Sequence, residues 1–126
     1  HNIGINGIIN LKIFINIMAA SKTFNCHTFA WLQNLYPSTY QYIWLNSPSA
    51  FMADPYYTLE YSPSSPGRIA TWSTHSGIVS DVSRSNPYNY YIPEPYLVSK
   101  WGNGPIVMHF QSLCPYYTGG TIYYYY

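Results

Sequence analysis

The chain has 126 residues, enough for one domain built around one hydrophobic core. Charged residues make up 7% and aromatics 20%, the reverse of the balance that keeps a chain disordered. Five Lys or Arg stand against four Asp or Glu, which leaves no basic surface for nucleic acid or anionic lipid, while weak charge repulsion favours self-association.

Residues 1–20 mix Asn and Ile in loose alternation and suit a strand or a helix equally, as an extension or a first element. The opening lacks the positive start of a signal peptide, and Leu11 to Ala20 is too short for a membrane helix, so no membrane span is expected. His1 invites a copper brace only if it is a true N-terminus with a second histidine such as His109 in place. Without an acidic cluster or a C-x-x-C pair, neither a metal nor another cofactor is expected.

Ser21 to Asn25 reads as a loop with Thr23 or Asn25 as N-cap. Cys26 follows in the first turn of a helix predicted to run to about Leu35, with Phe29, Trp31 and Leu32 on its apolar face. His27 points about 100° away from Cys26 on such a helix and is expected at the surface. From Tyr40 to Glu60 the prolines and aromatics predict short helical turns and loop. "SPSSPG", Ser62 to Gly67, is the clearest break. "RIATW" and "HSGIVSDV" are strand-like, "SRSNPYNYYIPEP" reads as a loop, and "YLVSKW" and "PIVMHF" are two more strands around the turn "GNG". A last strand ends in "TIYYYY". One helix followed by four or five strands, mostly a meander, predicts an α+β fold with helix packed on an antiparallel sheet.

Two cysteines leave three states open for Cys26: a nucleophile, a disulfide with Cys114, or an inert buried thiol. A helix start stabilises a thiolate, and a histidine close in space can take the proton and return it to a leaving group. His75, opening the strand "HSGIVS" between small residues, fits the second role. Backbone N–H groups at the helix start would hold the oxyanion, with Asn25 or His27 as side-chain donors.

"NCHTFAW" is similar to the helix start of papain-like NlpC, CHAP and related amidase families. "SPGRIATWSTHSGIVSDV" resembles their second signature, a Pro-Gly turn, a strand and a histidine opening the next strand. The resemblance extends into "YLVSKWG" and covers roughly residues 21–115. It implies a single domain over residues 1–126 with a small papain-like core over residues 21–126, with Cys26 as nucleophile and His75 as base. It further implies a cysteine-dependent amidase or endopeptidase outside the cell or in its envelope, acting on peptide or peptidoglycan-like substrates without a cofactor. Gly67-Arg68 departs from the family's Gly-Asp. The third, orienting member is unassigned among Ser99, Lys100 and His109, because Asp81 lies six residues along the strand from His75, about 20 Å at ~3.3 Å each. The competing reading is a secreted, aromatic-rich binding or assembly protein carrying a Cys26–Cys114 disulfide, its four tryptophans and sixteen tyrosines forming sugar-stacking or self-association surfaces.

Overall fold

The computed structural model describes residues 14–18, 20–86, 89–117 and 119–126. His1 and most of the N-terminal segment lie outside that range. In chain order the elements are β1 (Phe14–Met18), α1 (Cys26–Leu32), a 3-10 turn (Tyr40–Tyr42), α2 (Ser49–Met52), β2 (Leu59–Glu60), β3 (Ile69–Trp72), β4 (His75–Asn86), β5 (Asn89–Lys100), β6 (Ile106–Phe110), a second 3-10 turn (Gln111–Leu113) and β7 (Tyr123–Tyr125). The α+β class is as expected. Among the described residues no helix is long and apolar enough to cross a membrane.

Among the described residues seven strands form one sheet in the order β1-β6-β5-β4-β3-β7-β2, every neighbouring pair antiparallel. β3 to β6 are the expected meander. β7, however, crosses back to pair with β3 and β2, so the sheet has more strands than the turn signals suggested. Of the stretch "SRSNPYNYYIPEP", expected as a loop, residues 83–86 and 89–95 instead belong to β4 and β5, while residues 87 and 88 lie outside the described residues. β6 pairs β5 only from Tyr96 to Lys100, so among the described residues, 89–95 have a strand neighbour on one side alone. A proline, which has no N–H to give a ladder, is tolerated on such an edge, and the irregular register of β4 against β5 absorbs it.

Alternation along β4 divides the core. On one face Ile78 joins Val98, Ile106, Phe24 and Phe29, and α1 lies across it. Trp31, fully buried in α1, meets Phe51, Tyr57 and Tyr125 at ring-centroid distances of 5.8, 5.1 and 5.3 Å. On the other face Val79 packs with Ala70, Trp72, Leu97, Cys114, Ile122 and Tyr124. Gly77 is tightly enclosed: a Cβ would stand 3.1 Å from both Ser99 Cβ and the Val98 carbonyl oxygen, so this β4–β5 contact would have to open by a few tenths of an ångström. Gly77→Ala is therefore expected to destabilise by about 1 to 3 kcal/mol, read as a lower urea midpoint at unchanged slope.

Helix α1 starts where a helix should. The Asn25 carboxamide oxygen accepts from the Thr28 amide at 3.0 Å and the Thr28 hydroxyl at 2.9 Å, and its nitrogen donates to the Leu45 carbonyl at 2.8 Å. The helix ends at Leu32, earlier than expected, since the Leu35 and Tyr36 amides both fold back onto the Leu32 carbonyl. Asn25→Ala removes the cap and strands buried partners, and should cost about 2 kcal/mol in chemical unfolding.

Candidate functional site

α1 is held to β4 by one buried hydroxyl. Ser76, with no exposed surface, receives the Trp31 indole N–H at 3.3 Å and meets Thr71 Oγ1 and His27 Nδ1, each at 2.8 Å. His27 is thus buried beneath its helix rather than at the surface, because Ser76 supplies a partner for its ring nitrogen. Burial lowers its pKa below the ordinary imidazole value.

This anchoring brings the first turn of α1 to the head of β4, where His75 stands. Cys26 opens α1 on the Ser76 side of β4, whereas the ring of the neighbouring His75 lies on the other face of that strand, and among the described residues no hydrogen bond joins the two. Burial pushes the Cys26 thiol above its ordinary pKa. The backbone amides of Ser76, His27 and Cys26 itself, and the Lys100 ammonium, pull in the opposite direction without reversing it. The expected stabilisation of the thiolate by its surroundings is present, but desolvation outweighs it.

His75 points to the face opposite Ser76. Its ring stacks on Tyr116 at 5.0 Å and 17°, and lies 5.1 Å from the Trp72 ring. It is 1% exposed, and its Nε2 atom has no hydrogen-bond partner. Burial first, then the neighbouring His109 and His27, lower its pKa to about 3, so the imidazole is neutral at physiological pH.

The three candidates for an orienting residue separate in space. Lys100 donates to the Ser21 carbonyl at 2.6 Å and the Gly102 carbonyl at 2.5 Å, over the Phe24 ring, and so ties the loop before α1 to the β5–β6 turn. Ser99 and His109 pair with each other: Ser99 Oγ is 2.6 Å from His109 Nε2, and His109 Nδ1 is 2.9 Å from the Phe110 carbonyl oxygen. His109 is fully buried with its pKa lowered to about 4 by desolvation. His109 approaches the His75 ring: a nitrogen of each, with the Cys114 sulfur, lies within 4.8 Å of the others.

Cys114 supplies that sulfur from the second 3-10 turn's C-cap. Burial raises its thiol to about 11. Both cysteines are free thiols and both are buried, so the alternative disulfide is not formed. Cys26 is nonetheless close enough to perturb the titration of Cys114, Tyr116 and Lys100. A groove of about 470 Å³, walled by Trp72, Ser73, Met52 and Tyr123, adjoins this corner through Trp72 without being lined by Cys26 or His75.

The convergence of His75, His109 and Cys114 went unanticipated. His109 lies within β6 and Cys114 follows a turn, so no helical or C-x-x-C spacing links them. No family model, curated protein or solved structure matches the chain.

Proposed function

We propose that the chain is a papain-like cysteine hydrolase that cleaves amide bonds in peptides or peptidoglycan-like cross-bridges. The observation that carries this reading is the docking of the Cys26 turn on the head of the His75 strand through the Ser76 hub. Cys26 Sγ attacks the carbonyl carbon as His75, turned from its stacked position on Tyr116 toward the start of α1, takes the thiol proton. His75 then gives that proton to the departing amine, and water releases the acyl group from sulfur. With thiol and imidazole both neutral at rest, proton transfer accompanies attack rather than preceding it. The backbone amides of Ser76, His27 and Cys26, which favour the Cys26 thiolate, support charge on the attacking sulfur. His109, beside His75 and tethered to Ser99, is the orienting member favoured by position. The groove beside Trp72 offers aromatic walls to the substrate.

The test is the release of new amines from peptide amides and from purified wall fragments, with EDTA present. The wild-type protein should cleave a member of one class and Cys26→Ala should not, while Cys114→Ser should remain active. A wild-type protein that releases no amine from either class contradicts the reading.

A further inference from the structure

The trio of His75, His109 and Cys114 has a second use that the hydrolase reading does not require. We propose that these three side chains form a buried site for a zinc-like divalent transition-metal ion, and that its occupation takes His75 away from Cys26. Binding stands on the geometry alone; the silencing of hydrolysis rests on the reading above.

Four features favour an ion here. The ligand set is two imidazoles and one thiolate, donors that suit zinc and its neighbours rather than magnesium or calcium. The three ligand atoms lie within 4.8 Å of one another from β4, β6 and the second 3-10 turn. Bonds of about 2.0 to 2.3 Å need ligands only about 1 Å closer than that limit. His75 Nε2 is a buried nitrogen with no partner, and a buried polar atom without one is costly unless something binds it. His109 has the tautomer a metal needs. The Phe110 carbonyl can only accept, so Nδ1 carries the hydrogen and Nε2 presents its lone pair. That lone pair now meets the Ser99 hydroxyl, which rotates aside when the ion enters.

The stoichiometry balances without any redox step. The ion gains lone pairs from the two neutral imidazoles, the Cys114 S–H bond breaks to give a sulfur–metal bond, and one proton is released to solvent. Water completes a tetrahedral shell. With its nitrogen on the metal, His75 has no lone pair for the Cys26 proton.

The experiment uses the full chain, freed of metal by chelation and then titrated with Co²⁺ in the absence of substrate. One equivalent should bind and produce the near-ultraviolet thiolate-to-cobalt band together with visible bands of a four-coordinate ion, all displaced by Zn²⁺. Cys114→Ser should abolish the thiolate band and weaken binding at least ~100-fold, whereas Cys26→Ser should leave both unchanged. In the unmutated protein, one equivalent of Zn²⁺ should also protect Cys114 from alkylation, which keeps the test valid if the Cys114 variant fails to fold. Absence of saturation at one equivalent, or a thiolate band lost with Cys26→Ser instead, overturns the site. These readings need no catalysis, so an inactive chain does not decide them. In an active chain, loss of amine release at one equivalent of Zn²⁺ supports silencing, and full activity with the metal bound overturns it.

Discussion

His75→Ala should lower kcat/KM for amide cleavage by about 10³-fold or more, and the double variant with Cys26→Ser should be scarcely worse than either single one. Nucleophile and base act as one unit, so removing either removes the shared proton transfer. The circular dichroism of each variant should match the parent, because the His75 ring contributes no hydrogen bond through Nε2 and Cys26 lies at a helix end. His109→Gln, by contrast, keeps both reacting groups and should reduce kcat more than it raises KM, the mark of a residue that positions His75. Equal, additive losses from Cys26→Ser and His75→Ala would mean that the two do not act together.

The second large effect is on stability in mild acid. His75 at about 3 and His109 at about 4 lie below the unfolded imidazole value of about 6.5. Between those limits the unfolded chain binds protons that the folded chain refuses, so stability falls as pH falls from about 6.5 toward 4 and 3. Each group should remove about 2 kcal/mol by pH 5 relative to neutral pH. His27, lowered in the same direction by burial, adds to the loss. With EDTA present, the urea midpoint should be flat above pH 7 and drop steeply between pH 6.5 and 5, before most carboxylates titrate. His109→Gln should remove part of that slope. An unchanged midpoint from pH 7 to pH 5 contradicts the buried, neutral histidines.

Much of the helix and strand framework was legible in the sequence, for local reasons. Asn25 before an apolar run signals a helix start, and "RIATW", "HSGIVSDV" and "PIVMHF" carry β-branched residues between turn signals. The long β4–β5 hairpin was not legible. Pro93 and Pro95 argue against a strand unless it is known that β6 ends at Phe110, opposite Tyr96, and leaves an edge among the described residues. β7 was read as a strand, but its place between β3 and β2 depends on a long return of the chain that no local pattern encodes.

The site divides in the same way. Cys26 and His75 were readable one by one, from a helix start and a strand start. The hub at Ser76 was invisible because a serine in a strand carries no signal until His27, Trp31 and Thr71 surround it. His27 was misjudged since its direction was measured against Cys26, while the sheet lies on its own side of the helix. His109 and Cys114 looked incidental, and their relation to His75 follows only from the strand order β6-β5-β4 and the turn after β6.

The most direct test of the central claim is to trap the covalent intermediate. Protein mixed with an activated acyl donor, quenched in acid and mapped by mass spectrometry, should carry a thioester on Cys26, and His75→Ala should suppress it. An acyl group found on Cys114, or formation on Cys26 unaffected by His75→Ala, would contradict the Cys26–His75 pair.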